Sequence, residues 1–262
     1  MAAEKTARAE GRAAFLAACQ KAMRVWAPPP QLTVSEWADA ERRLSAETGA
    51  SPGRYRTSRT EYARGIMDAI SDKSVHTVVA MTSSQLGKTT ILENIIGYYM
   101  HHDRCPMMLV MPTQHLCEEF SKDRITPMLR DTPALRGLVV DSNAKKSGNT
   151  LLSKHFPGGL LVMGWPASPA TLAGRPIRVA IGDEIDRWQT SGAEGSPVDL
   201  LTVRTTAFRW NAKHAFFSTP TVQKQSRIEK LYLSSDQRKF YIPCPHCSDR
   251  FVLEFEHLHI EE

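Results

Sequence analysis

The chain has 262 residues and a mass of 29.3 kDa, room for one large domain or two small ones, and its 42% hydrophobic against 23% charged residues exclude a wholly disordered, collagen-like or mucin-like chain. Lys and Arg (33) exceed Asp and Glu (28) by +5, and the pI near 9.0 is a mild excess compatible with a polyanionic partner. The longest apolar runs, such as residues 78–81, fall far short of the roughly 20 residues that span a bilayer. The N-terminus lacks an apolar stretch followed by a cleavage site, and five cysteines, three of them scattered, argue against a disulfide framework. A cytoplasmic protein that does not touch membranes is expected.

From the N-terminus, Phe15, Leu16, Cys19, Met23 and Trp26 recur at spacings of three and four among basic residues, predicting an amphipathic helix over the first 26 positions. Pro28, Pro29 and Pro30 end it and set a stiff spacer. Residues 1–31 are therefore read as a helical arm, either packed on its own domain or docking a partner. A second helix is expected over residues 35–47, with Ser35 as N-cap and Trp37, Ala38 and Leu44 inward. Residues 49–59 read as a Gly/Pro/Ser loop and residues 62–70 as helix.

The pattern then changes to apolar strands alternating with helices. A β-branched strand is predicted at 75–81, followed by a polar turn and a helix with Ile91, Leu92, Ile95, Ile96 and Tyr99 on one side. Further strands are expected at 107–111, 160–163, 177–181 and 215–217, with a helix over about 115–129 despite Pro127. Apolar rather than alternating strands point to a parallel sheet covered on both faces. Residues 141–149 read as an exposed polar loop. After residue 240, Phe251, Leu253 and Phe255 alternate with polar neighbours as in a β-hairpin. The expected fold is α/β, a mainly parallel sheet flanked by helices over residues 32–238, with a small β extension over residues 239–262.

Three strand ends carry chemistry. The turn after the first strand reads Thr82-Ser83-Ser84-Gln85-Leu86-Gly87-Lys88-Thr89-Thr90. Its Gly-Lys-Thr matches the end of the phosphate-loop pattern, although Thr82 stands where the first Gly belongs. A bare triplet would be a plain strand-to-helix turn; here it lies between a buried strand and an amphipathic helix, the context the motif requires. Gly87 would let backbone amides from Ser83 onward face the phosphates. Lys88 would reach the β- and γ-phosphates, and the Thr89 hydroxyl would ligate Mg²⁺. A later apolar strand ends in Asp183-Glu184, at the carboxyl edge where open α/β sheets bind ligands. Asp183 would hold Mg²⁺ and Glu184 would polarise an attacking water. A third strand ends in Ser218-Thr219-Pro220, hydroxyls suited to sensing a γ-phosphate and passing the signal on.

These motifs, in this order, resemble the ATPase domain of the large terminase subunit of tailed phages, in the group typified by the phage lambda packaging enzyme. The likeness extends to Ser35-Glu36-Trp37-Ala38-Asp39, Pro52-Gly53-Arg54-Tyr55-Arg56-Thr57, Ile66-Met67-Asp68-Ala69, Met111-Pro112-Thr113 and Pro243-Cys244-Pro245-His246-Cys247, and covers residues 32–255. The resemblance implies a P-loop NTPase of the ASCE type that uses ATP and Mg²⁺ to drive double-stranded DNA into a procapsid, in the cytoplasm of an infected bacterium. It implies a terminase small subunit, a portal or procapsid and a homo-oligomeric ring as partners. Gln85 matches the family's deviant loop, Ser218 to Pro220 become the coupling motif, and Tyr55 and Arg56 fall where adenine-side contacts arise. A helicase-like translocase would need a second RecA-like domain. A non-catalytic DNA or capsid adaptor would have no chemical need for Lys88, Asp183 and Glu184 together.

Two departures stand out. Some terminases carry an arginine finger where this chain has Ser84, so another arginine must act, with Arg175, Arg178, Arg204 and Arg209 as candidates. The family's nuclease domain, with clustered carboxylates and two metals, has no counterpart in these residues, and the expectation is an ATPase fragment of a longer protein. Cys244 and Cys247 have the spacing of half a zinc site. His257 and His259 could complete it awkwardly, and the resemblance implies a second cysteine pair further on. A redox pair or two idle thiols are the alternatives.

Overall fold

A computed structural model describes Cys19 and residues 31–47, 51–139, 149–168, 174–189 and 195–254. The chain divides into two units, Met1–Leu32 and Thr33–Glu262, and the elements below belong to the second. The N-terminal helix, the proline spacer and most of the 141–149 loop lie outside the described residues.

Helix α1, Val34–Glu41, opens with a capping box: Thr33 Oγ1 accepts from the Glu36 N–H, and the Glu36 carboxylate accepts from the Thr33 N–H. Thr33 rather than the expected Ser35 is therefore the cap. The helix also stops sooner than residue 47, because Arg42 turns to extended backbone and buries its guanidinium against Glu93. Leu44 consequently lies on a short strand, β1 (Arg43–Leu44), paired antiparallel with β2 (Gly53–Arg54). Helix α2 spans Tyr62–Ser71, one residue past the expectation.

The core is a six-stranded sheet of β3 (Thr77–Met81), β4 (Pro106–Val110), β5 (Ser153–Phe156), β6 (Gly159–Gly164), β7 (Val179–Asp183) and β8 (Lys213–Ser218), in the order β3-β8-β7-β4-β6-β5. All neighbours are parallel except the edge pair β5–β6. The predicted mixed α/β fold with a mainly parallel sheet is therefore present. Strand β5 was not legible, since Lys154 and His155 break its apolar run. Met108, Val110, Ala180 and Phe216 form a core on one face with Trp188, Val198, Leu201 and Ile228. Val198 and Leu201 come from α6 (Pro197–Val203) and Ile228 from α7 (Arg227–Leu233).

Helix α3, Lys88–His101, is buried nearly all round from Ile91 to Met100, not on one side only. Its Gly97 admits the Trp37 ring of α1: a Cβ there would lie 2.3 Å from Trp37 Cη2. The expected helix after β4 runs as α4 (Gln114–Phe120) and α5 (Thr126–Asp131), joined by a π segment at Ser121–Ile125. Pro127 has no N–H for the α ladder, and the wider turn lets the chain continue through it. Past residue 240 the hairpin is only β9 (Ile242–Pro243) with β10 (Arg250–Phe251); Leu253 is exposed and Phe255 is outside the described residues. Among the described residues, no helix is long and apolar enough to cross a membrane.

Candidate functional site

The order β3-β8-β7 brings the three motif-bearing strand ends together. All three strands are parallel, so residues 82–88, 183–184 and 218–220 emerge at one carboxyl edge, as open α/β sheets place their ligands. The Thr82 N–H donates to Ser218 O at 3.2 Å, which anchors the start of the loop to β8.

Residues 83–87 are exposed, whereas Lys88 is only 9% exposed. Gln85 (φ 62°) and Gly87 (φ 72°) take left-handed backbone, the curl that lets successive N–H groups turn inward. A Cβ on Gly87 would meet nothing nearer than Tyr62 Oη at 3.9 Å, so glycine is needed there for its φ. The Tyr62 hydroxyl donates to Leu86 O at 3.1 Å and steadies the far side of the loop. Ser84 and Thr89 flank this curl, Ser84 exposed and Thr89 half-buried in the first turn of α3.

Lys88 is the hub. Its Nζ donates to Thr219 Oγ1 at 2.5 Å and Ser83 O at 3.3 Å, and it pairs with Glu184 Oε1 at 3.3 Å. One ammonium thus touches all three motifs. Asp183 ends β7 at 7% exposure; burial and then the neighbouring Glu184 push its carboxyl up to about 7, with Lys88 opposing. A buried acid beside a second carboxylate is suited to a cation, which would restore the ionised form. Trp188 fixes the strand end: its indole N–H donates to Asp183 O at 2.8 Å, and its ring lies where a Cβ on Gly182 would come within 2.9 Å. Glu184 turns the chain in left-handed backbone (φ 48°), and Arg187 Nε lies 3.8 Å from its Oε2.

The end of β8 connects to the surface through Asp186. Its backbone N–H donates to Ser218 Oγ at 3.3 Å. Its carboxylate accepts from the N–H and hydroxyl of Thr221 and from the Ile228 N–H of α7. Burial alone would raise the Asp186 pKa, but the Ser226 hydroxyl and these donors hold it below the usual carboxylate value. Pro220 follows Thr219 in this connection.

A cavity of about 300 Å³ opens beside the loop, and Tyr55, Arg56, Tyr62, Leu86, Gly87 and Thr90 are among its lining residues. Tyr55 is buried, its hydroxyl 3.4 Å from Thr60 Oγ1. The expected adenine-side pair therefore shares one cavity with the end of the phosphate loop. Lys88, Asp183, Glu184 and Thr219 do not line it.

The four arginine candidates lie elsewhere. Arg178 precedes β7 and makes a two-pronged pair with Asp103, stacked 5.4 Å from the Tyr99 ring centroid. It is five residues before Asp183, roughly 16 Å along an extended strand. The Arg204 carbonyl accepts from the Ile177 N–H at that amino end, Arg209 precedes β8, and Arg175 is exposed just upstream of β7. Sequence reasoning missed Arg187, although its place three residues after Glu184 could have drawn attention. It also missed Asp186, Tyr62 and Glu93, whose roles arise from contacts distant in sequence.

Cys244 and Cys247 sit in the β9–β10 turn, where the Cys244 N–H donates to Asp249 O at 2.7 Å. The backbone N–H groups of Cys247 and His246, then the Cys247 side chain, hold the Cys244 thiol below its usual value. Among the described residues, no group of three or more His, Cys, Asp or Glu could hold a metal ion. The zinc expectation is thus not supported: a pair of thiols leaves tetrahedral zinc two ligands short, and His257 and His259 lie outside the described residues.

A family model described as the ATPase domain of the phage terminase large subunit gpA matches residues 49–262. The terminase large subunit of Enterobacteria phage P21 is 31% identical over 232 residues, covering 87% of this chain and 35% of that protein. The terminase large subunit of Escherichia phage lambda is 30% identical over 237 residues, with the same two coverages. The chain thus spans about a third of the length of these curated relatives. Among solved structures, the HK97 bacteriophage large terminase aligns with a TM-score of 0.57 at 15% identity, covering 78% of this chain and 41% of that one; this likeness bears on the fold alone. With the match spanning most of its length, the chain belongs to the family of phage terminase large subunit gpA ATPase domains.

Proposed function

We propose that this chain is the ATP-hydrolysing part of a motor that moves double-stranded DNA into a procapsid, built as a P-loop NTPase of the ASCE type. The observation that carries the reading is the position of Lys88 Nζ, within 3.3 Å of Ser83 O, Thr219 Oγ1 and Glu184 Oε1 at once. A phosphate entering the exposed loop would exchange with these contacts, so one event would be felt by the acidic strand end and by β8. The intervening β8 between the loop strand and the acid-bearing strand supports the ASCE assignment.

In this reading backbone N–H groups from Ser83 to Gly87 hold the phosphates, with Ser84, Gln85 and Leu86 giving the loop its curl. Lys88 neutralises charge on the β- and γ-phosphates. Thr89 and Asp183 would hold Mg²⁺, which supplies charge neutralisation on the transferring phosphoryl; the raised carboxyl of Asp183 fits a cation. Glu184 orients the attacking water once Lys88 turns to phosphate. Tyr55, Arg56 and Thr90 face the nucleoside from the adjoining cavity. Ser218, Thr219 and Pro220 pass the change through Asp186 to α7. A small subunit, a portal, a ring of copies and a nuclease elsewhere in the protein follow from the family and complete the proposal, which places the work in the cytoplasm of an infected bacterium.

The test is steady-state ATP hydrolysis with Mg²⁺, with and without double-stranded DNA. Lys88→Ala is expected to remove nucleotide binding and turnover together. Glu184→Ala is expected to keep binding within about 3-fold while turnover falls about 100-fold or more. Equal loss of binding and turnover in Glu184→Ala would refute the role given to that residue.

A further inference from the structure

The amino edge of the sheet lies opposite the phosphate loop, and the nucleotide site makes no use of it. Four adjacent parallel strands, in the order β3-β8-β7-β4, begin there. The stretches that lead into them are residues 72–76, 204–212, 174–178 and 102–105. Together with Lys213, the first residue of β8, they hold seven basic residues against two acidic ones, Asp72 and Asp103. That excess equals the +5 of the whole chain, so the rest of the sequence is neutral on balance.

The inner charges of this edge are already engaged. Arg178 pairs with Asp103, and Lys213 Nζ donates to the carbonyls of Asp72 and Val75. The outer ones face water. Arg104, Arg175 and Arg209 are exposed, each on a different stretch, and Lys73 is exposed on the fourth. Arg104 donates to two carbonyls, His101 O and Pro157 O. Among the described residues, Arg175 and Arg209 have no carboxylate partner. Backbone bonds hold the stretches side by side: the Ile177 N–H donates to Arg204 O at 3.1 Å, the Arg178 N–H to Pro106 O at 2.8 Å and the Lys213 N–H to Arg178 O at 2.9 Å. Trp210 follows Arg209 and is 71% exposed, which leaves most of a large apolar ring to bury against a partner.

We propose that this edge holds the backbone of double-stranded DNA, with Arg104, Arg175 and Arg209 on phosphates and the Trp210 ring against the sugars. Four adjacent strands span about 14 Å, a length over which a duplex carries about eight phosphate charges. Single cations spread over four stretches match a repeating line of charge. An acidic protein partner would instead call for an apolar centre ringed by polar groups. Strand β8 runs from this edge to Ser218, about 17 Å away, so one strand joins the duplex to Thr219 and Lys88. The inference rests on the DNA-motor reading above and goes further by naming the face that holds the duplex.

The test is the anisotropy of a labelled duplex of about 30 base pairs, titrated with the chain from about 50 to 200 mM salt. Each phosphate contact contributes about 0.9 to the slope of log affinity against log salt. Arg175→Ala with Arg209→Ala is expected to reduce that slope by about 1.8 and to weaken binding about 10-fold or more. Lys122→Ala with Arg130→Ala removes the same charge from the helical stretch after β4, and is expected to leave the slope unchanged. Trp210→Ala removes no charge, and is expected to weaken binding at every salt concentration without moving the slope. Full affinity in Trp210→Ala would overturn the part given to the indole. Thermal melts establish that each variant is folded. A slope that falls equally in both double variants would reduce the effect to net charge and overturn the proposal. A slope that falls in neither would also overturn it, and would leave this edge to an acidic protein partner. If the wild-type chain binds no duplex, this proposal and the DNA-motor reading fail together, while ATP binding that depends on Lys88 would still uphold the phosphate loop.

Discussion

Lys88 is the residue at which the proposed chemistry and the proposed movement meet. Before nucleotide enters, its ammonium is held by Thr219 and Glu184, so phosphate has to compete with both. Thr219 is also one bond from Ser218, whose hydroxyl accepts from the Asp186 N–H. Replacing Thr219 with Val keeps the shape of the side chain and removes the hydroxyl. The expected outcome is ATP binding within about 5-fold of wild type, because a lost hydrogen bond worth about 1 kcal/mol corresponds to that factor, together with a loss of most of the stimulation by DNA. Parallel measurement of nucleotide affinity and of turnover with and without DNA checks it. Undiminished stimulation would show that Thr219 does not carry the signal. The motif residues were legible because their chemistry is written in short spacings: Gly87-Lys88-Thr89 after an apolar strand, Asp183-Glu184 after another. Glu93 was not legible, since a lone glutamate in a helix reads as a solvated position until Arg42, 51 residues away, is seen beside it.

At the scale of elements, Asp186 is what joins the end of β8 to α7. It accepts from two backbone N–H groups and the Thr221 hydroxyl, and the Ser226 hydroxyl together with these holds its pKa below the ordinary value of 3.8 against the effect of burial. A depressed carboxylate contributes stability that is fully present above its unfolded pKa and is lost as pH falls through the folded value. Asp186→Asn should therefore melt below wild type at pH 7, with a deficit of about 1–3 kcal/mol for hydrogen bonds to a charged acceptor. The gap should narrow below about pH 4, as the wild-type carboxylate takes up its proton. Thermal melts of both proteins from pH 3 to 7 provide the comparison; a gap independent of pH would exclude the ionised form as its source. Element boundaries depended on contacts both distant and local. The end of α1 at Glu41 is set by Arg42 reaching Glu93, and the passage of a helix through Pro127 is set by the π segment before it. Glu93 is 51 residues from Arg42, beyond what periodicity records, so the apolar strands and the helix through Pro127 were found to within one or two residues while the end of α1 was not.

For the whole molecule, the parallel sheet separates two chemistries by its own length. The carboxyl edge collects Lys88, Asp183, Glu184 and Thr219, and the amino ends of β7 and β8 collect Arg178, Arg204 and Arg209. Arg178 is committed to Asp103 and the Tyr99 ring, so it would have to abandon a charged partner to act as a finger even within its own edge. Among the described residues, Arg187 is the arginine that ion-pairs with a motif carboxylate, and its side chain is 69% exposed. Two arrangements follow for the positive charge that phosphoryl transfer requires: Arg187 of the same copy, or an arginine presented by a neighbouring copy in a ring. They differ in how activity depends on assembly. For a site completed by a neighbour, activity per copy rises with protein concentration, and adding Glu184→Ala chains, which keep their own arginines, raises the rate of dilute wild-type chains. For a self-sufficient site, activity per copy is constant, added Glu184→Ala chains leave the wild-type rate unchanged, and Arg187→Ala alone lowers turnover about 10³-fold or more. The exposed phosphate loop and the remoteness of the other four arginine candidates favour the neighbour, so the expected result is the concentration-dependent one. A wild-type rate unmoved by added Glu184→Ala chains, together with a crippled Arg187→Ala, would instead make each copy a complete engine, and the ring a means of holding DNA rather than of finishing the site.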